Sequence, residues 1–278
     1  MADDPIPAVT EAEATGDIAA IFADIRAVYR VGVVNLIWRH LATIPDALPW
    51  AWAAIRPVYV DGTIGRAADA FRATLRTPAL TPVPAEVFGA LGLSNHDLTG
   101  IRDVLAAYDY TNSMALISLT ALTADAPAHP SWSGLTRPFQ ANGKEMVGSS
   151  PTMTVLPALT PISAMPPPVA ALVTRLNRFG SSDPAPILAS MYRHLSHWPP
   201  YLGLAWAALA PLEASGALKQ ATADTAVQAR TAASIVPMPA DPPPPHAREA
   251  IAPFIGDVLP KMVAICGMLR AMTTAPDA

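Results

Sequence analysis

The chain is predicted to be all-α, an internally duplicated helical bundle whose halves are joined by a long Pro-rich connector. Three observations predict this. The first is self-similarity. Arg39-His40-Leu41, Pro45, Leu48, Ala51-Trp52-Ala53-Ala54, Pro57 and Gly62 return as Arg193-His194-Leu195, Pro199, Leu202, Ala205-Trp206-Ala207-Ala208, Pro211 and Gly216, each 154 residues later. A fainter echo relates Leu119, Ala121 and Thr123 to Leu269, Ala271 and Thr273 at a spacing of 150. Two long copies imply a pseudo-twofold, fused-dimer-like architecture, with any pocket where the copies meet. The second observation is composition. Of 278 residues, 51% are hydrophobic and 14% charged, so a large core can be buried, and 31 prolines punctuate it. The third is periodicity: apolar residues recur at helical spacing, and no alternating strand pattern lasts.

The first repeat is read as residues 10–123. Thr10 with Glu13 fits a capping box opening a helix that carries Ile18, Ile21, Phe22, Ile25 and Tyr29. A second helix is expected from Val33 to Ile44, stopping before Pro45. A third carries Leu48, Trp52 and Ile55, and a fourth starts near Gly65. The three prolines between Thr77 and Pro84 mark a loop, followed by a short helix from Glu86 to Leu91. Ser94, with Asp97 in the first turn, caps the last helix of the repeat. Residues 124–168, rich in Pro, Ser, Thr and Gly, are the connector; Met153 to Leu156 is its most strand-compatible run. The second repeat spans 169–274 and is interrupted by Pro242 to Pro245, a polyproline II stretch.

Net charge is -4, which argues against nucleic acid as a partner. A single cysteine, Cys266, rules out an intramolecular disulfide and fits a reducing, cytoplasmic compartment. The acidic N-terminus lacks a signal sequence, and no run of 18 apolar residues suggests a membrane span. No histidine pair has zincin spacing, so no metal site is expected, and no Gly-rich phosphate loop or G-x-S-x-G elbow is present.

Candidate functional residues are few. Arg39-His40 and Arg193-His194 either converge on a cavity, Arg clamping a carboxylate and His serving as acid or base, or cap helix ends in both copies. Asn112 lies in a polar run, Tyr108 to Asn112, inside a long apolar helix. Its counterpart at the 150 spacing is Met262, so the polarity is not shared, which favours a site over a packing rule. Asp183 precedes Pro184, as a helix N-cap would. His197-Trp198 reads as an aromatic corner, and Cys266 as a buried thiol.

These residues resemble a known family. Arg30 through Asn35, Arg39, Leu41-Ala42-Thr43, Pro45 and Leu48-Pro49 are similar to the first repeat of the group I (DehI-type) 2-haloacid dehalogenases. Val104-Leu105, Tyr110, Asn112 and Leu119 to Leu122 resemble the end of that repeat, and Ala189-Ser190, Leu195, Trp198 and Pro199 resemble the second. The resemblance implies a duplicated all-helical, cofactor-free enzyme in which a carboxylate activates water. That water displaces halide from C2 of a 2-haloacid with inversion, an Asn positions it, and both enantiomers are accepted. Asn112 matches that Asn. The family's Asp follows an Ala-Ser pair, whereas Ala189-Ser190 is followed here by Met191. Ala115 and Val33 stand where aromatics are expected. The expected base is therefore missing.

The reading is a hydrolase-like enzyme of 2-haloacid dehalogenase descent acting on a small carboxylic acid, with altered chemistry. The alternative is a non-catalytic binder of an apolar acid. Asn112, Asp183 and His194 are the catalytic candidates, with His40 a further candidate base. Val33, Leu36, Arg39, His40, Ala115, Ala189, Ser190, Met191 and Arg193 are the substrate-binding candidates. A homodimer is a possible assembly.

Overall fold

A computed structural model describes residues 6–124, 131–132, 155–239 and 242–274. The expected all-α fold is present. Twelve α-helices occur among the described residues. The first six are α1 (Gly16–Tyr29), α2 (Leu36–Leu41), α3 (Ala47–Val60), α4 (Thr63–Thr74), α5 (Ala85–Ala90) and α6 (Asn95–Thr123). Then follow α7 (Pro167–Arg178), α8 (Ser190–Leu195), α9 (Pro199–Ala214), α10 (Ala217–Ala233), α11 (Pro245–Pro253) and α12 (Leu259–Thr273). A two-residue parallel pair, β1 (Ser131–Trp132) with β2 (Met238–Pro239), is the one strand element among them. Most of the connector, including His129 and the start of the run at Met153, lies outside the described residues.

Where local signals agreed, the boundaries followed. Ser94 Oγ accepts from Asp97 N–H at 3.2 Å while Asp97 Oδ2 accepts from Ser94 N–H at 2.9 Å, a closed capping box that starts α6 one turn ahead of its apolar stripe. Gly62 and Gly216 precede α4 and α10 with φ of 80° and 78°, a left-handed turn that favours glycine at both ends of the 154-residue spacing.

Three expectations fail for identifiable reasons. The Thr10–Glu13 bonds exist, at 3.2 and 3.3 Å, but they close an isolated turn. The chain then passes through left-handed backbone at Gly16, φ 54°, before α1 proceeds. The second helix is shorter than expected: Asn35 has extended backbone, ψ 148°, so α2 starts only at Leu36, and the Val34 N–H before it bonds the Glu11 carboxylate at 2.9 Å. Asp183 is no N-cap: no helix follows it before α8. Pro186 disfavours helical backbone at Ala185, and Asp183 Oδ1 instead accepts from Ala185 N–H at 2.9 Å in a tight turn.

The core is centred on α6, which packs along α12 and also meets α4 and α10. Asp109, buried on α6, is gripped by Arg270 of α12 and Arg72 of α4. Burial pushes its carboxyl above the ordinary carboxylate value, and the two guanidiniums oppose that. Lys261 of α12 is fully buried; its ammonium donates to the Asn177 carbonyl of α7 at 2.8 Å, and Asp257 stands 3.6 Å away. The continuous helix Pro245–Thr273 is long and apolar enough to cross a membrane, but 67% of its most apolar stretch is buried inside the fold, as in a core helix. Midway, Phe254–Val258 forms a π turn between Pro253 and Pro260, both of which lack the N–H that α-helical bonding needs.

Repeated residues do not always keep repeated environments. Trp52 is fully buried against Tyr29, Trp38 and Tyr59, whereas its counterpart Trp206 is 41% exposed. The expected His197-Trp198 corner is present, and Trp198 Nε1 donates to Asp97 Oδ1 at 3.0 Å, docking the ring on the first turn of α6.

Gly100 is required at that contact, because a Cβ there would meet the Trp198 ring at 2.7 Å. Gly100→Ala is therefore expected to lower stability by about 1–3 kcal/mol. Gly267→Ala, whose Cβ would meet nothing within 4 Å in α12, is expected to raise it by roughly 0.5–1 kcal/mol. Thermal unfolding of the two variants checks both signs.

Candidate active site

Two adjoining spaces lie where α2, α6, α8 and α12 meet. The inner pocket, ≈ 30 Å³, is walled by Asn35, Leu36 and Ile37 at the start of α2, and by Tyr108 and Asn112 on α6. Ala189, Ser190 and Met191 at the start of α8, Phe254 and Val258 of the π turn, and Leu259 and Met262 of α12 complete it. That volume admits about one or two waters. Ten of these residues form five pairs at the two repeat spacings: Asn35 with Ala189, Leu36 with Ser190, Ile37 with Met191, Tyr108 with Val258, and Asn112 with Met262.

The outer cavity, ≈ 420 Å³, is lined by Glu11, Val33, Arg39, Ser190, Arg193 and His194, with the extended chain from Leu156 to Pro161 along one side. Ser190 lines both spaces, so they share a wall.

Inside the inner pocket the polar groups are only partly satisfied. Asn35 Nδ2 donates to Asn112 Oδ1 at 2.9 Å and to Thr111 Oγ1 at 3.1 Å. Asn35 Oδ1 and Ser190 Oγ, both buried, have no hydrogen-bond partner. Ser190 Oγ lies near the Tyr108 hydroxyl and acts on it electrostatically, without the geometry of a bond. An unsatisfied buried acceptor costs free energy, so such groups in a pocket are ready partners for a ligand or water.

Tyr108 joins the two spaces. Its hydroxyl lies 2.8 Å from His194 Nδ1. The Pro157 carbonyl also acts on the imidazole, and in the tautomer whose ring proton faces that carbonyl Nδ1 accepts from Tyr108. Burial, then the neighbouring His197 and Arg193, holds His194 down to about 4, so it is neutral near pH 7. Burial raises the Tyr108 phenol, while Arg39 and Arg193 both pull it back; their fields therefore reach the phenol oxygen. Arg193 Nε also donates to the Thr160 carbonyl at 2.9 Å, fixing that guanidinium at the cavity wall.

The structure sorts the sequence candidates. Asn112, Leu36, Ala189, Ser190 and Met191 line the inner pocket; Val33, Arg39, Arg193 and His194 line the outer cavity. Three line neither. His40 Nδ1 bonds the Pro7 carbonyl at 2.8 Å and its ring packs on Phe254, because the residue after Arg39 turns to the other side of the short α2. Ala115 is fully buried in the core one turn beyond Asn112. Asp183 is exposed in its tight turn near Ser181, Asp257 and Lys261; the segment to Met191 is not helical, so a helical-rise separation between them does not apply. Cys266 is a buried thiol bonded to the Leu105 carbonyl, with burial raising its pKa. Sequence reasoning missed Asn35 and Tyr108. Asn35 fell inside the helix expected from Val33 to Ile44 and within the segment that carries the family resemblance; neither singled it out as a pocket residue.

No family model matches the chain. A configuration-inverting 2-haloacid dehalogenase from Alcaligenes xylosoxydans xylosoxydans is 30% identical over 125 residues, which span 45% of this chain and 42% of that enzyme. The match thus covers less than half of the relative's length. A mutant D-2-haloacid dehalogenase in complex with D-2-CPA has the same fold, with a TM-score of 0.73, 18% identity, and coverage of 98% of this chain and 96% of that one. A D-2-haloacid dehalogenase in complex with L-LA gives 0.72 and 18%, over 98% and 97%. The resemblance read from the residues is thus matched by partial sequence similarity to a 2-haloacid dehalogenase, and the chain shares the all-α fold of the solved 2-haloacid dehalogenases.

Proposed function

We propose that this protein is a hydrolase-like enzyme acting on a small 2-substituted carboxylic acid, with the acid in the outer cavity and the attacking water in the inner pocket. The observation that carries this is the convergence of Arg39 and Arg193, 154 residues apart, on one cavity beside a pocket that holds unsatisfied Asn35 Oδ1 and Ser190 Oγ. Two guanidiniums offer forked donors to one carboxylate. A pocket of about water size with Asn112, Asn35 and Ser190 offers a water its hydrogen bonds. The solved relatives with D-2-CPA and L-LA support a ligand of this class.

Met191 stands where the family resemblance puts the catalytic carboxylate. A thioether takes no proton from water, so turnover should be slow. The second reading, a non-catalytic acid binder, is favoured by the same residue: Met191 and Ile37 add apolar side chains to the pocket lining. The constant spacings of the pocket pairs and of the glycines before α4 and α10 support a duplicated unit with repeats at 10–123 and 169–274.

Halide release from a panel of 2-haloacids, with thermal shift measured on the same acids, tests the reading. Binding of 2-chloropropionate with slow halide release is expected. Met191→Asp is expected to raise release by part of the roughly 10²–10⁴-fold that a positioned base supplies. Arg193→Met is expected to weaken acid binding by about tenfold or more, as a charge-assisted contact is lost. Absence of any acid-induced stabilisation of the unaltered protein would remove the reading.

A further inference from the structure

The Tyr108–His194 pair occupies a position that the established parts of the site do not use. Its two ends open on different spaces: the phenol lines the pocket that contains Asn112, and the imidazole lines the cavity that contains both arginines. The contact is short, 2.8 Å, and in the tautomer whose ring proton faces the Pro157 carbonyl Nδ1 is the acceptor. Tyr108 is paired by spacing with Val258 and His194 with His40, which faces Pro7 instead, so the second half of the pair of copies has no equivalent contact. A packing rule shared by both repeats does not explain it.

We infer that Tyr108 and His194 form a proton relay that replaces the missing carboxylate, with Tyr108 the catalytic residue touching the water and His194 the positioned acceptor behind it. This rests on the function proposed above. In the step, the oxygen of the inner-pocket water bonds to C2 of the acid, and the C2–halogen bond breaks with its electron pair leaving as halide. One water proton passes to Tyr108 Oη as the Tyr108 proton passes to His194 Nδ1. The products are a 2-hydroxy acid, halide and a protonated imidazole, which returns its proton to solvent through the outer cavity.

The surroundings suit this. The buried phenol stays protonated at rest, so it must hand on its own proton as it takes another. Arg39 and Arg193 favour negative charge on its oxygen during that exchange. The imidazole, held at about 4 by burial and by His197, Arg193 and Arg39, has the basicity of an ordinary carboxylate, near ~3.9. Glu11 is the other titratable group on the same cavity, and it is engaged by Arg26 and the Val34 N–H.

The test uses the full chain with 2-chloropropionate. Tyr108→Phe and His194→Gln are each expected to lower halide release about tenfold or more while the acid still raises the melting temperature. Release by the unaltered protein should stay level above about pH 5 and fall as the pH drops through about 4, where His194 becomes protonated and can no longer accept. A carboxylate restored at the pocket makes the relay unnecessary, so Met191→Asp should rescue Tyr108→Phe. That rescue separates a proton-transfer role from a structural one. Unchanged release in Tyr108→Phe overturns the relay and leaves the proposed function standing. Acid binding without any halide release by the unaltered protein overturns both the relay and the hydrolase reading, and leaves the binder reading. Failure of every acid to bind overturns the proposed function itself.

Discussion

The bond from Asn35 to Asn112 is the constraint on which the site depends. Asn112 is buried in the middle of α6, where an amide without a partner would cost free energy. Asn35 supplies that partner from the start of α2, and in doing so fixes how the short helix approaches the long one. The price is that Asn35 spends its donors on Asn112 and Thr111, leaving its own carbonyl oxygen unsatisfied toward the pocket. The fold thus tolerates polar groups in its centre only by pointing the remainder at a space where a small molecule can meet them.

That space is mixed in character. At each of the five spaced pairs around the inner pocket, no more than one member can donate or accept through its side chain. Asn35, Tyr108 and Asn112 come from the first half, and Ser190 alone from the second. With them stand Ala189, Val258, Met262, Met191 and the π turn. The result is a lining that mixes a few polar groups with apolar side chains, which suits a water beside a carbon skeleton. The outer cavity receives one arginine from each half of the chain, Arg39 and Arg193.

Much of this could be read from the residues. The polar run at Tyr108 to Asn112 has no place in an apolar helix unless partners await it, and the repeated Arg-His pairs told where two short helices end. The family resemblance placed Met191 beside Asn112, and they do share a pocket. The sequence could not separate His194 from His40, because identical neighbours put one against Tyr108 and the other against Pro7. That difference comes from the partner of each short helix: α8 packs on α6, whereas α2 packs on α11 and α3. Nor could it free Asp183 from its presumed cap: Asp-Pro opens a helix or a tight turn equally well, and Pro186 decides it. Asn35 was illegible for a related reason, since its role exists only across a contact of long sequence separation.

The central claim is the division of labour between the two spaces, and a high-resolution crystal structure with 2-chloropropionate or lactate bound tests it most directly. The account predicts the carboxylate between Arg39 and Arg193, and an ordered water in the inner pocket bonded to Asn112 and to Asn35 Oδ1 or Ser190 Oγ. A carboxylate seated on Asn112, or an inner pocket that stays dry beside a bound acid, would contradict it.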